Sequence, residues 1–212
     1  MNLCVFTTVI GEETDPLRKP KLINSNVDYL CFTDQPIESK GWRIIPTESG
    51  DDSCLRSRRI KILANEVWDN FDASIWIDAA FELCVDPVLI VERWLYHADM
   101  LALKHPDRTR IDAEADEIIR LGKAPCEKVQ NQVREYRDFS QSQQFITCTG
   151  LCARRHAPRV RRFCKTWWHE LCRFGHCRDQ MSVDYAASIC EIDIKHIEGH
   201  YRDNPYARWF KL

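Results

Sequence analysis

Short apolar runs alternate with segments of helical periodicity along most of the chain. Leu3–Ile10 is almost continuously apolar, which predicts a strand that is covered on both faces. Further strands are predicted at Val27–Thr33, Trp42–Ile45, Ala73–Asp78, Met100–Lys104, Phe145–Ala153 and Glu191–His196. This alternation predicts an α/β fold with a mainly parallel central sheet flanked by helices.

One helical pattern lies between the third and fourth predicted strands. Within Leu55–Trp68, apolar residues recur every three or four positions and share a face, while Arg58 and Lys61 fall on the opposite face. Further helices are predicted from Pro87 to about Ala98 and at Arg110–Leu121, Lys128–Phe139, Ala157–Arg173 and Gln180–Ile189. A chain of 212 residues fits one domain, so we predict a single domain over residues 1–212.

Composition narrows the class of protein. Hydrophobic residues make up 44% and charged residues 29%, which is typical of a soluble globular domain. The net charge of −2 predicts no bulk attraction to nucleic acid or to acidic membranes. No run approaches the roughly 20 apolar residues of a membrane span, and Met1–Gly11 lacks the features of a signal peptide. We therefore expect no membrane span and a cytoplasmic location.

The eleven cysteines include no C-x-x-C pair, and their odd number argues against a complete disulfide framework. Most lie in apolar runs, where free cysteine behaves as a small hydrophobe. We expect reduced, buried thiols. Cys172 and Cys177, which flank a short loop, are the expected exceptions, and a zinc site is the alternative.

Asp78 ends an apolar strand and is followed by small residues. Ligands of open α/β sheets bind beyond the carboxyl ends of the strands. A carboxylate at that place can hold Mg²⁺ or Mn²⁺, which prefer oxygen ligands and also contact substrate phosphates. The alternative interpretation is that Asp78 caps a turn.

Arg58, Arg59 and Lys61 bring three cations to the start of a helix. Such a group can neutralise a diphosphate, since arginine makes bidentate contacts with phosphate. A solvated helix face is the alternative. After a later strand, Pro106 fixes the loop that carries His105 and Arg108, which could contact a donor or acceptor, although a single histidine is often structural.

Asp179 and Gln180 precede the last predicted helix. Asp179 is a candidate general base for an acceptor hydroxyl, and Gln180 a candidate contact to the donor sugar; the alternative role of Asp179 is a helix N-cap. Near the end of the last strand, His200 follows Gly199, which allows close backbone approach, so His200 is a candidate metal ligand beside Asp78.

The order of these motifs resembles the glycosyltransferase-like domain family once known only as a domain of unknown function, with members among plant mucilage- and cell-wall-related proteins and bacterial proteins. The resemblance is carried by Val5–Gly11, Asp28–Asp34, Trp42–Pro46, Arg58–Lys61, Trp76–Asp78, Lys104–Pro106 with Arg108, Glu114–Ala115, Trp167–Trp168 and Arg178–Ser182. The family looks like GT-A enzymes, whose Rossmann-like sheet binds a nucleotide sugar through a metal.

The resemblance implies a place for each candidate. Thr7 and Thr8 would lie near the nucleotide, with Asp34 close to its base or ribose. Arg59 and Lys61 would face the diphosphate, and Asp78 would bind the metal, while Asp179 and Gln180 would lie beside the transferred sugar and the acceptor. GT-A enzymes commonly carry D-x-D, whereas this chain has Asp78–Ala80, without the second acid.

These observations predict a glycosyltransferase that moves a sugar from a nucleotide-sugar donor to a hydroxyl acceptor with Mn²⁺ or Mg²⁺. The alternatives are a metal-dependent hydrolase and a non-catalytic nucleotide-sugar-binding module. The basic segment Arg154–Arg162, near Trp167 and Trp168, could bind a phosphate-rich acceptor such as nucleic acid, or form a solvated helix start.

Overall fold

A computed structural model of the chain describes residues 1–12, 16–197, 199–200, 202 and 204–210. Its centre is a seven-stranded sheet with the strand order β3-β2-β1-β4-β7-β6-β8. The strands are β1 (Leu3–Val9), β2 (Asp28–Thr33), β3 (Arg43–Pro46), β4 (Ala73–Ile77), β6 (Met100–Lys104), β7 (Thr147–Arg155) and β8 (Ile194–Ile197). All neighbours are parallel except those of β7, which runs antiparallel to β4 and β6. The predicted mainly parallel, Rossmann-like sheet is confirmed.

Helices cover this sheet, and most lie close to their predicted positions, but the single helix predicted over Lys128–Phe139 is wrong because two helices meet at Tyr136. The helices are α1 (Ser53–Leu63), α2 (Asn65–Trp68), α3 (Pro87–Ile90) with a π-helical turn at Val91–Leu95, α4 (Ile111–Arg120), α5 (Cys126–Glu135), α6 (Arg137–Ser142), α7 (Pro158–Arg173) and α8 (Gln180–Cys190). One core fills the face under α1, α7 and α8, and a second core fills the opposite face of the sheet.

The single helix predicted over Leu55–Trp68 is wrong, because the chain breaks it into α1 and α2. Ala64 takes a left-handed conformation, with φ of 47°, and its N–H donates to the carbonyl of Ile60. An alanine pays strain there, yet Ala64 is only 1% exposed and packs in the core under α1. Burial therefore overrides the local helical pattern.

A two-stranded antiparallel sheet lies outside the predicted set. It pairs β5 (Phe81–Leu83) with β9 (Ala207–Trp209), a segment for which the sequence pattern predicts no strand. Tyr201, Asp203, Lys211 and Leu212 lie outside the described residues. The pairing brings the C-terminal part of the chain beside the end of β4.

The basic segment Arg154–Arg162, expected either to bind a phosphate-rich acceptor or to form a solvated helix start, has one buried arginine, and several of its exposed arginines are paired within the fold. Arg154 is 3% exposed and donates to the backbone carbonyls of Lys61 and Ile62. Arg155 donates to the carbonyl of Leu95, and Arg159 forms an ion pair with Asp99. These side chains tie β7 and α7 to neighbouring elements, so the structure does not support a nucleic-acid partner at this segment.

The disulfide prediction is wrong in its partners. Cys177 is bonded to Cys54, at a Cα separation of 6.1 Å, whereas Cys172 is a free, exposed cysteine of α7. Nine cysteines are free, and several of them, such as Cys4 and Cys152, are buried as expected. A separation of 123 residues along the sequence left no local spacing from which this bond could be predicted.

No helix in the described part of the chain has both the length and the apolar character needed to cross a membrane.

Candidate functional site

A cleft of about 660 Å³ opens where β4 ends and β7 begins. Because β7 is antiparallel to β4, its first residues lie beside the carboxyl end of β4 and form one wall. The opposite walls come from α1, α4 and the start of α8. The lining residues with charged or amide side chains are Arg58, Lys61, Asp78, Asp107, Arg108, Glu114, Glu117, Arg120, Lys123, Arg178, Asp179, Gln180 and Arg202. The cleft is thus a strongly polar site at the edge predicted for ligand binding.

Asp78 follows β4 at the base of the cleft. Its Oδ1 accepts a hydrogen bond from the indole N–H of Trp76 at 2.8 Å. A β-carbon on Gly150 would lie 2.8 Å from the ring of Phe81 and 3.3 Å from Oδ2 of Asp78, so glycine is needed for this close packing. The Asp78 side chain is 35% exposed, and its carboxylate therefore faces the cleft.

Asp179 is buried and joins three elements around its carboxylate. Lys61 Nζ lies 2.7 Å from Oδ2, and Arg58 Nε lies 3.0 Å from Oδ1. The hydroxyl of Thr149 donates to Oδ2 at 3.0 Å and lies 2.9 Å from Lys61 Nζ, from which it accepts. Lys61 Nζ is also 3.8 Å from Oδ1 of Asp78. These contacts link α1, β7 and the start of α8.

The ionisation of Asp179 follows from these partners. Burial alone would raise the pKa of its carboxyl, but the charges of Lys61 and Arg58 outweigh burial and hold the pKa well below its ordinary value. The side chain makes no capping bond to α8, so the N-cap alternative does not describe its contacts. Asp179 is therefore a permanent anion whose oxygens are both occupied by cations.

Arg178 and Lys123 carry positive charge that the described residues do not neutralise by direct contact. The guanidinium Nε of Arg178 is buried and lacks a hydrogen-bond partner among the described residues. Burial lowers the pKa of Arg178; Asp179 opposes this shift, and the positive charge of Arg58 adds to it. Burial also lowers the pKa of Lys123, and Arg178 adds to that shift. The cleft lining holds seven arginine and lysine side chains against five aspartate and glutamate side chains, and this excess of positive charge favours an anionic ligand.

A family model described as TOD1/MUCI70, glycosyltransferase-like domain, matches residues 33–199. The chain belongs to the TOD1/MUCI70 family. The probable hexosyltransferase MUCI70 of Arabidopsis thaliana is 30% identical over 84% of this chain and 36% of its own length. The alkaline ceramidase TOD1 of the same plant is 25% identical over 94% of this chain and 54% of its own length.

The TOD1/MUCI70 match confirms the predicted resemblance and supports glycosyl transfer as the general chemistry. The chain spans about a third of the length of one relative and about half of the other. The matched range contains Arg58, Lys61, Asp78 and Asp179, whereas Thr7, Thr8 and His200 fall outside it. Most of the charged cleft, except Arg202 and Trp209, therefore belongs to the part of the chain that defines the family.

Arg58 and Lys61 lie in the cleft, but Arg59 does not. Arg59 is exposed and lines a neighbouring groove of about 330 Å³ with Pro46 and Glu48. The cause is helix geometry: residues three apart share a face of α1, whereas the residue between them is rotated by about 100°. The grouping of Arg59 with Lys61 at one diphosphate is thus not seen in this structure.

The residues predicted near the nucleotide lie outside the cleft lining. Thr7 is fully buried within β1, and the hydroxyl of Thr8 lies 2.6 Å from that of Ser57 on α1. Asp34 accepts from the backbone N–H of Gly11 and forms an ion pair with Arg56 at 2.8 Å. Their contacts are structural in this conformation, and their predicted role in donor binding stays a prediction.

His105 and Arg108 are part of a locked loop at the wall of the cleft. Nδ1 of His105 accepts from the backbone N–H groups of Asp107 and Arg108, at 3.1 and 3.0 Å. Burial, together with the charge of Arg108, lowers the pKa of His105 to about 4, so the imidazole is neutral near pH 7. Arg108 is bound to Glu114 of α4. Both predicted residues line the cleft, with their polar groups already engaged.

The donor groups around Asp78 do not form a resident metal site. No three His, Cys, Asp or Glu side chains converge at metal-ligand spacing within the described part of the chain. Oδ1 of Asp78 already faces an indole N–H and an ammonium, which is a cation in the place of a metal. His200 accepts from the backbone N–H of Arg202 through Nδ1. A protein-held Mn²⁺ or Mg²⁺ at Asp78 and His200 does not fit these contacts, nor do the described residues form the alternative zinc site.

Three residues of the site were not among the predicted candidates. Thr149 could have been found, because Thr147, Thr149 and Leu151 alternate along a predicted strand and share one side of it. Arg178 belongs to the segment Arg178–Ser182, which carries part of the family resemblance. The absence of a hydrogen-bond partner for its Nε among the described residues depends on tertiary contacts, which the sequence does not show. Lys123 follows Gly122 in a loop and has no pattern that marks it.

Proposed function

We propose that the chain transfers a hexosyl group from a nucleotide-sugar donor to a hydroxyl of an acceptor. The single observation that carries this proposal is a pair of cleft cations, Arg178 and Lys123, that form no ion pair with the described residues and lie beside the charged network of Asp179. When the sugar is transferred, its bond to the diphosphate breaks and a nucleoside diphosphate leaves. The negative charge of this leaving group grows in the transition state. Fixed cations in a partly desolvated cleft stabilise that charge without reorganisation. The family and the hexosyltransferase relative support the same chemistry.

The proposal assigns a different task to each acid. Asp179 holds Arg58 and Lys61 in place, because both of its oxygens are bound to cations and its pKa is well below the ordinary value. The sequence-based hypothesis that Asp179 is the general base is therefore less favoured. Asp78, whose carboxylate faces the cleft, is our candidate for accepting the proton of the acceptor hydroxyl. Gln180, which lines the cleft at the start of α8, is our candidate for a contact to the sugar.

The divalent metal stays a prediction from the sequence, and we derive no step through it. The positive charge that a metal supplies to a leaving diphosphate comes in this proposal from Arg178, Lys123, Arg58 and Lys61. A single domain over residues 1–212 also remains our proposal. The cytoplasmic location expected from the sequence is not favoured by the Cys54–Cys177 disulfide, because disulfides are rare in reducing compartments.

The test is a thermal-shift screen of nucleotide hexoses with and without Mn²⁺, followed by an assay for free nucleoside diphosphate in the presence of a hydroxyl acceptor. A ligand that binds only the native state raises the melting temperature. We expect stabilisation by a nucleotide hexose in the presence of chelator, and diphosphate release that requires an acceptor. Stabilisation without release would indicate a binding module, and release without an acceptor would indicate a hydrolase.

Hydrolysis is a second candidate because the 25% identical relative carries the name alkaline ceramidase. A long acyl chain needs a predominantly apolar channel. In this cleft the apolar side chains are few, chiefly Phe81, Ile118, Leu121 and Trp209, and charged groups surround them. The lining therefore favours a sugar nucleotide. Release of a sphingoid base from ceramide by the purified chain, with no turnover of nucleotide sugars, would reverse this preference.

A further inference from the structure

The Cys54–Cys177 disulfide joins the two parts of the chain that supply the charged groups of the cleft. Cys54 is the second residue of α1, and Arg58 and Lys61 follow it by four and seven positions. Residues with these spacings lie on one face of a helix. The sulfur and both cations of α1 are therefore directed to the same side, where the chain leading into α8 approaches.

On the other side of the bond, Cys177 directly precedes Arg178 and Asp179. This stretch lies in the short connection between α7 and α8, where the indole N–H of Trp167 donates to the carbonyl of Asp179 at 3.0 Å. Asp179 is further held by its ion pairs to α1, but Arg178 has no such contact with the described residues. The hydrogen bonds of the Arg178 backbone are local, since its N–H donates to Nδ1 of His176 and its carbonyl accepts from Met181.

The charges around Arg178 act in opposite directions, because Asp179 attracts its guanidinium while Arg58 of α1 repels it. Arg58 and Arg178 carry the same charge in a region of low dielectric constant, and like charges in such surroundings repel strongly. The disulfide is one residue from Arg178 and ties that position covalently to the helix that carries Arg58. A covalent link can oppose this repulsion, whereas a solvated loop would relax and separate the two guanidinium groups.

We propose that the Cys54–Cys177 disulfide is a positioning element of the cleft, which holds Arg178 beside Arg58 and Lys61 so that affinity for a diphosphate depends on the redox state of the bond. The identity of the ligand in this inference rests on the function proposed above. The arrangement of Arg178 against α1 does not depend on it.

Reduction by a dithiol balances simply. One thiolate of the dithiol attacks a sulfur of the Cys54–Cys177 bond, which gives a mixed disulfide and releases the other cysteine as a thiolate. The second thiolate of the dithiol then attacks the mixed disulfide and releases the remaining cysteine. The dithiol becomes a cyclic disulfide, and two electrons and two protons end on Cys54 and Cys177 as thiols. Exchange with a small disulfide such as oxidised glutathione reverses the reaction. Both cysteines are partly exposed, which leaves the bond accessible to such reagents.

The first measurement is calorimetric binding of inorganic pyrophosphate to the oxidised chain, to the chain reduced by dithiothreitol, and to the Cys54→Ser/Cys177→Ser variant. Binding is compared at a temperature where circular dichroism shows all forms folded. The matched control is Cys172→Ser, which removes a free, exposed thiol outside the cleft. We expect Kd to rise by about tenfold or more on reduction and in the double variant, because a charge-assisted contact is lost, with no change in the control. A change below about twofold would overturn the proposal.

The second measurement needs no ligand and separates this inference from the proposed function. Amide hydrogen exchange over residues 174–182 is compared between oxidised and reduced chains, with the reduced form made from folded protein in the cold in case the double variant does not fold. Faster exchange in this segment, against unchanged exchange in β1 and β4, is the expected result. Unchanged exchange would refute positioning. If exchange changes but neither form binds pyrophosphate, the proposed function fails and the positioning role of the bond stands.

Discussion

Two groups of basic side chains lie near opposite ends of β7, and they differ in how their charge is used. In the segment of Arg154, Arg155 and Arg159, the side chains end on backbone carbonyls or on a carboxylate of the fold. In the cleft, Arg178 and Lys123 lie near other cations and form no ion pair with the described residues, although Asp179 and Glu114 act on them from a distance. Basic residues stand closer together along the sequence in the first group, yet we infer that only the second group has charge available for a ligand. The presence of a partner, and not the number of basic residues, therefore identifies the candidate site.

The largest effect is expected from Asp179→Asn. The change leaves Lys61 and Arg58 without their counterion in a buried setting, and breaking a buried ion pair costs about 3–5 kcal/mol of the free energy of unfolding. Urea denaturation measures this loss. Pyrophosphate should restore part of it, since an anion can then occupy the same cations. If Asp179 acted chiefly as a general base, stability would remain near that of the parent chain while turnover vanished.

Arg154→Met tests the other side of the comparison. The variant keeps an unbranched apolar stem of similar length but leaves two buried carbonyls of α1 without a donor, which costs about 2–3 kcal/mol. The variant should bind pyrophosphate as the parent chain does, at a temperature where both are folded. Weaker pyrophosphate binding together with unchanged stability would mean that Arg154 serves a ligand, and the distinction between the two groups would be lost.

Two buried carboxyls extend the comparison to pH. Asp184 is held by Thr147 and Gln143, which are neutral, so burial raises its pKa to about 6. Because this pKa is raised, Asp184 adds to the free energy of unfolding at pH values below the ordinary carboxyl pKa. That contribution is lost as pH rises through about 6. Asp179 behaves in the opposite way, because its lowered pKa gives stability that is lost as pH falls below about 4.

Asp184→Asn should therefore be more stable than the parent chain above pH 6, by about 2 kcal/mol, and should lack the decline between pH 4 and 7. Urea midpoints measured across this range give the result. A variant whose stability follows the same pH curve as the parent would show that Asp184 is not the group that titrates.

The sequence predicted the frame of the site better than its contents. The apolar runs of β1, β4 and β6 and the face shared by Arg58 and Lys61 follow from periodicity, which is a local property, and the structure agrees. The position of Asp78 at a strand end follows from the same local pattern. The features that the sequence does not predict depend on contacts between residues that are distant along the chain.

Arg178 shows why this was so. Its motif was visible, but whether its guanidinium would meet a carboxylate or another arginine is decided by the packing of α1 against the start of α8. The bond between Cys54 and Cys177 depends on the same packing. The surroundings of Asp78 depend on the packing of α1 as well, since an ammonium of that helix lies 3.8 Å from its Oδ1.

The most direct test compares the affinity of pyrophosphate for the parent chain, Arg178→Met and Arg59→Met, the last removing an exposed arginine of the neighbouring groove. Calorimetry is paired with urea denaturation of each variant. The account predicts that Arg178→Met weakens binding by about tenfold or more and leaves the fold as stable as before or more so, since an unneutralised buried charge is removed, while Arg59→Met changes neither. Equal affinity of the Arg178→Met variant and the parent chain would contradict the claim that this cleft is built for an anionic ligand.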